Sequence, residues 1–184
     1  MIESFATVAS PVLSMPIVRR IRRNHGLEHA TIHLLSKKIR NLKMAGRADT
    51  QGFLLYGDAE TELIRTCVTE ALHRMQNGDH MLAVHPNCGT GLVTTGLMTS
   101  MAAIIGLRGA RETFEDSFNR LPLVMLLTIG APIVSQPIGL SLQQHITTLG
   151  DPGDLELVDV TKHEVKTPFS SEPMTVHRVR TRLG

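Results

Sequence analysis

The chain has 184 residues, of which 42% are hydrophobic and 20% charged, with a formal net charge of +2. That length suits one domain, or a small soluble module joined to a short membrane unit, and the composition excludes a solvating disordered chain. Two cysteines and no signal-peptide order argue against a disulfide framework, and a near-neutral balance with no Trp and one Tyr gives no expectation of nucleic acid.

Residues 1–18 (MIESFATVASPVLSMPIV) are apolar but interrupted by two prolines, and a basic run follows at Arg19, Arg20, Arg22 and Arg23. This order predicts an interfacial N-terminal segment laid against a bilayer, with the arginines on anionic head groups. A helix is predicted over residues 17–40, where Val18, Ile21, Ile32, Leu35 and Ile39 recur at helical spacing. Residues 41–51 lose that pattern and read as a connection. Phe53–Tyr56 is a short apolar run suited to a buried strand. Asp58 then offers an N-cap for a helix burying Leu63, Ile64, Cys67, Val68, Ala71, Leu72 and Met75, which Asn77-Gly78 stops. Met81–Val84 is the expected second strand of a β-α-β unit.

Two windows carry no Asp, Glu, Lys or Arg: Met81–Leu107 and Leu121–Gly150. Their apolar parts, Gly91–Leu107 and Leu121–Leu142, approach the roughly 20 helical residues that cross a hydrocarbon core. Their many glycines and prolines suit membrane helices better than soluble ones. They are expected to form a transmembrane hairpin; two buried helices of a soluble core are the alternative. Eleven Lys and Arg in residues 1–90, three in the loop Arg108–Arg120 and five in residues 151–184 put both ends on the cytoplasmic side of a bacterial inner membrane. Beyond the spans, Leu155–Val160 and Met174–Leu183 are expected strands that extend the cytoplasmic sheet.

The predicted fold class is therefore an α+β membrane protein. It has an interfacial segment at 1–18, and a cytoplasmic helix with its β-α-β module at 19–90. The hairpin covers 91–148, and C-terminal strands at 151–184 join the module.

Chemistry concentrates in two places. His25, Glu28 and His29 form H-x-x-E-H, whose spacing puts all three on one helical face shared with Val18, Ile21, Ile32 and Ile39. A buried carboxylate between imidazoles is costly unless paired or beside a metal. Two neutral imidazoles can ligate zinc while the glutamate takes a proton from metal-bound water, the inverted-zincin pattern. Ordinary, partly exposed helix histidines are the alternative. The second cluster is His85-Pro86-Asn87-Cys88-Gly89-Thr90, which brings a nitrogen and a sulfur donor to the mouth of the first span. A catalytic zinc wants three protein ligands, and His25, His29 and either His85 or Cys88 meet that count. His33 is a lesser candidate, His73 and His80 are expected to face solvent, His145 to approach the site or mark the interface, and Cys67 to lie in the core. Glu112, the downstream glutamate nearest to an inverted-zincin ligand, falls on the far side of the membrane in this topology.

Together the segments His25-Gly26-Leu27-Glu28-His29 and His85-Pro86-Asn87-Cys88-Gly89-Thr90 resemble the YqhQ-like family of bacterial membrane proteins, described as predicted metal-dependent enzymes. The Arg23–Ala30 start looks closer still to a related uncharacterised bacterial group. The resemblance covers roughly residues 19–148 and implies a membrane-embedded metal site made by His25, Glu28, His29, His85 and Cys88. The β-α-β insert and the C-terminal strands depart from that pattern.

The expected function is a zinc-dependent, hydrolase-like membrane protein with Glu28 as general base. Its substrate would be lipid-linked or a membrane protein. The alternative is a non-enzymatic metal-binding or accessory subunit packed against other membrane subunits.

Overall fold

A computed structural model describes residues 2–86, 88–109, 114–166 and 173–184. The chain divides into two compact units, Met1–His85 with Gln144–Gly184, and Pro86–Gln143.

The first unit is built on a long helix. After two short helices, α1 (Ile2–Val8) and α2 (Ser10–Leu13), α3 runs Pro16–Lys38. Pro16 sits at its first position, where no N–H is needed, and Lys37 and Lys38 complement the negative end of its dipole. A four-stranded antiparallel sheet follows, in the order β1 (Ala45–Asp49), β2 (Gly52–Tyr56), β4 (Met174–Arg182), β3 (Glu156–Val165). Helix α4 (Thr61–Gln76) completes the layer of helices. Leu27, Ala30, Leu34 and Leu35 of α3 share one core with Ile64, Val68 and Met75 of α4 and with Phe53, Leu55, Val160 and Val179 of the sheet. Burial of one such large apolar side chain stabilises by about 1.5–3 kcal/mol.

The α+β class, the long helix, the strand at FLLY and the two C-terminal strands are as the sequence predicts. Three expectations are corrected. Residues 41–51 are not all connection, because Ala45–Asp49 (AGRAD) forms an edge strand paired with β2 from Ala45↔Tyr56 to Asp49↔Gly52. The pattern of that segment is not apolar; the neighbouring strand supplies its hydrogen bonds, and the Asp49 carboxylate accepts from the Gln51 N–H at 2.7 Å to fix the turn. Gly52, at φ +136°, closes the turn against the Val179 carbonyl, where a Cβ has no room. Secondly, Met81–Val84 is not a strand: His80–Ala83 is a turn of 3₁₀-helix, so there is no β-α-β unit. Leu82 and Ala83 are buried there, which accounts for the apolar run without a sheet partner. Thirdly, α4 starts at Thr61 with Glu60 as N-cap, not at Asp58.

The second unit is a helical hairpin. Helix α5 covers Gly89–Leu107, a short α6 covers Phe114–Asn119, and α7 covers Leu121–Leu142. Small residues let α5 and α7 approach closely: Gly139 meets the Gly91 Cα at a distance that would leave an added Cβ 3.2 Å away, and Thr95 Oγ1 lies 2.6 Å from Ser135 Oγ. Arg120 donates to the carbonyls of Arg108 and Gly109 at 2.8 and 3.0 Å, closing the loop over the end of α5. Large apolar side chains on both helices, including Leu92, Val93, Ile104, Leu126 and Ile133, stand exposed. Both helices are long and apolar enough to cross a membrane, and the second extends by a π-helical turn, Gln143–Thr147.

Candidate metal centre

The H-x-x-E-H segment lies in the middle of α3, inside the first unit. The helix is buried on more than one face here, since Asn24, Gly26, Leu27, Glu28, His29, Ala30 and Thr31 are all enclosed. The expectation of a single inward face is thus too narrow. α3 is covered on several sides, so the three residues of the motif meet different neighbours.

His25 and His29 stack one turn apart, edge to face, with ring centroids 4.4 Å apart. Each ring is held from behind by a main-chain carbonyl: His25 Nδ1 lies 2.9 Å from the Thr147 oxygen and His29 Nδ1 lies 2.8 Å from the Ala83 oxygen. A carbonyl only accepts, so both Nδ1 atoms must carry the proton. In the neutral form each ring has its lone pair on Nε2, the arrangement in which histidine ligands are usually oriented by a carbonyl behind them. The Thr147 carbonyl is presented by the π-helical turn, and the Arg22 guanidinium binds the carbonyls of His145 within that turn and of Thr148 just after it, both at 3.0 Å. Gly26 makes the approach possible, because a Cβ there would lie 2.5 Å from the Leu149 oxygen.

His85, at the end of the first unit, joins the cluster. Its ring centroid is 6.3 Å from that of His29 and 6.3 Å from that of His33. Four imidazoles therefore form one row in this unit. Burial, with help from the Lys37 and Arg74 charges, pushes the His33 ring below its ordinary pKa against the opposing pull of Asp79, so His33 is neutral near pH 7. Glu28 points at the sheet: it is 4% exposed, and its carboxylate occupies the space a side chain at Gly46 of β1 would need. Cys88 belongs to the second unit, as the N-cap of α5, and its Sγ accepts from the Thr90 N–H at 3.4 Å. Imidazole and thiolate are both donor types that ligate zinc, so His25, His29 and Cys88 each carry suitable chemistry.

The remaining candidates separate clearly. Cys67 is fully buried in the core, and His73 and His80 are exposed, as expected. His145 Nε2 faces Glu3 at 3.5 Å, while its carbonyl serves Arg22. Glu112 and Asn87 lie outside the described residues. Sequence reasoning missed Gly46, Arg22 and the two carbonyls. Main-chain acceptors leave no residue-type signal, and Gly46 is legible only once β1 is known to lie against Glu28. It also missed His177, which is fully buried in β4 with both ring nitrogens lacking a hydrogen-bond partner among the described residues.

An α+β unit carrying a histidine row, joined in sequence to two helices apolar enough to span a bilayer, defines the class of protein. The chain belongs to the family described as a domain of unknown function, DUF6391, which matches residues 20–160. An uncharacterized protein of Picosynechococcus sp. is 30% identical over 174 residues, covering 87% of this chain and 79% of that protein. No solved structure matches.

Proposed function

We propose that the protein is a membrane metalloprotein that binds one divalent ion, zinc by donor type, through Nε2 of His25 and His29. His85 or Cys88, three residues apart in sequence, supplies the third ligand. The observation that carries this reading is the pair of carbonyls at Thr147 and Ala83, which fix both rings in the metal-binding tautomer. A cluster of unassigned imidazoles would need no such matched orientation. The ion would supply Lewis acidity and an activated water for hydrolysis, with Glu28 as the base that takes the proton. Two apolar helices and the basic start of α3 support a site at the cytoplasmic face of a bacterial inner membrane, both termini inside, acting on a lipid-linked or membrane-protein substrate. Kinship to the YqhQ-like proteins is part of the same proposal.

Elemental analysis of the detergent-purified chain, before and after a chelator, tests it. About one zinc per chain is expected for the native protein and for Glu28→Gln, and none for His29→Ala. A native chain that holds no transition metal overturns the proposal. A metal closed off by four protein ligands, with no water bound, replaces the hydrolase with an accessory subunit.

A further inference from the structure

The first two helices present three separate faces. Their helical phase carries through Ala9, whose N–H donates to the Phe5 carbonyl at 2.9 Å and whose carbonyl accepts from the Leu13 N–H at 3.0 Å. Ile2, Ala6, Ala9 and Leu13 recur at helical spacing, are half-buried and form the inner face. Glu3, Thr7, Ser10 and Ser14 each follow one of these by a single residue, and this polar face is exposed. Phe5, Val8 and Val12 each precede an inner residue by one, so they lie about 100° round the helix on the opposite flank. With Met15 they form an apolar stripe that stands 62%, 79%, 54% and 53% exposed at Phe5, Val8, Val12 and Met15. A helix packed on a soluble core needs only the inner and polar faces; a contiguous apolar stripe on the outside marks an interaction surface.

The basic run after these helices does not form the array on head groups that its sequence predicts. Arg20 donates to the Thr181 carbonyl at 3.3 Å. Arg22 donates to the carbonyls of Leu13, His145 and Thr148 at 3.5, 3.0 and 3.0 Å. Arg23 donates to the Asp151 carbonyl at 3.2 Å and faces the carboxylates of Asp151 and Asp154 at 3.8 and 3.6 Å. Three of the four guanidiniums are thus turned to the protein itself, and Arg19 is exposed. Position selects the occupant instead. The Glu3 carboxylate lies 3.5 Å from His145 Nε2, and both residues belong to the first unit. His145 stands in the last turn of the second apolar helix, Leu121–Thr147, so α1 lies beside the end of a helix fit to cross a bilayer. An apolar stripe at that end meets the boundary between head groups and acyl chains, a surface that asks for no matched donors or acceptors.

We infer that α1 and α2 dock on the bilayer surface through Phe5, Val8, Val12 and Met15, held by apolar burial and not by the basic run. The inference rests on the reading of the chain as a membrane protein, and it is independent of the metal.

The test uses the full chain, which has no tryptophan of its own, in nanodiscs of phosphatidylcholine. Val8→Trp puts a single indole on the apolar stripe, and Ser10→Trp puts one on the polar face. Ile133→Trp puts one on an exposed side of the second apolar helix. Lipid brominated near the ester end of its acyl chains quenches an indole at the boundary, lipid brominated near the methyl end quenches a deeper one, and acrylamide quenches one in water. The Val8→Trp indole should sit about 5–10 Å below the membrane surface, emitting at shorter wavelength than that of Ser10→Trp. It should be quenched by the ester-end bromine and shielded from acrylamide, and Ser10→Trp should show the reverse. Equal quenching of the two variants by acrylamide overturns the inference. Shielding of the Val8→Trp indole from both acrylamide and lipid bromine also overturns it, and assigns the stripe to a second copy or another protein. Quenching by lipid bromine that appears only after phosphatidylglycerol is added overturns it as well, because it returns the contact to the arginines. Ile133→Trp separates the two readings. If its indole escapes the methyl-end bromine, the membrane reading fails; if it is quenched while that of Val8→Trp is not, only the docking of α1 and α2 fails.

Discussion

The Asn24 carboxamide bridges two strands that are distant in sequence: its Nδ2 donates to the Asp49 carbonyl at 2.8 Å, and its Oδ1 accepts from the Thr181 hydroxyl at 2.8 Å. Asn24 is fully buried one residue before His25, so this bridge ties the turn of α3 that carries the H-x-x-E-H segment to both β1 and β4.

Asn24→Ala removes the donor to the part-buried Asp49 carbonyl and the acceptor of the buried Thr181 hydroxyl, and a buried group left unmet costs about 1–3 kcal/mol. A loss of several kcal/mol in chemical denaturation is expected. Thr181→Val alone should lose less, and the double variant little more than Asn24→Ala, because the two share one bond.

Gly46→Ala places a methyl where the Glu28 carboxylate lies. The two cannot share that space, and overpacking of this kind costs about 1–3 kcal/mol. We expect a lowered thermal midpoint, recovered in part by Gly46→Ala combined with Glu28→Ala. Equal loss in the single and double variants would show that Glu28 does not fill that space.

The pH dependence of stability follows from His177 and His33. Burial pushes the His177 ring below its ordinary pKa of 6.5, Lys162 lowers it further, and Asp58 opposes. A depressed imidazole pKa means that the unfolded chain takes up the proton first. Stability is then full above 6.5 and falls as the pH drops through 6.5 towards the folded value. His33 acts in the same direction. Unfolding midpoints measured at pH 7.5 and 5.5 should therefore differ less in His177→Leu than in the native protein. Asp49 titrates in a separate, more acidic window: its hydrogen bonds from Arg178 hold the carboxyl below its ordinary value of 3.8, so the stability it adds is lost only as the pH falls below that.

Gly106→Val tests the hairpin. A Cβ at Gly106 would come within 2.8 Å of the Val124 side chain and 3.1 Å of its Cα, so α5 and α7 must separate there. A lower unfolding midpoint in detergent is expected, by an amount equivalent to about 1–3 kcal/mol.

Sequence by itself determined the periodic and the strongly apolar parts. Helix α3, the FLLY strand, the two C-terminal strands and the two apolar helices follow from local patterns of side chains, because burial of one face or of a whole helix must be written into residue order. The donor types at His25, His29, His85 and Cys88 are legible for the same reason, since ligand chemistry resides in the side chain.

What only the tertiary structure decided is what depends on main-chain partners. AGRAD is a strand because β2 lies beside it, and the apolar run at Met81–Val84 is a 3₁₀ turn because Leu82 and Ala83 are buried there without a strand to pair with. The tautomers of His25 and His29 are set by carbonyls 122 and 54 residues away, and the space for Glu28 by a glycine on another strand. A peptide carbonyl is the same group at every residue, so nothing in the order of side chains marks which one will stand behind an imidazole.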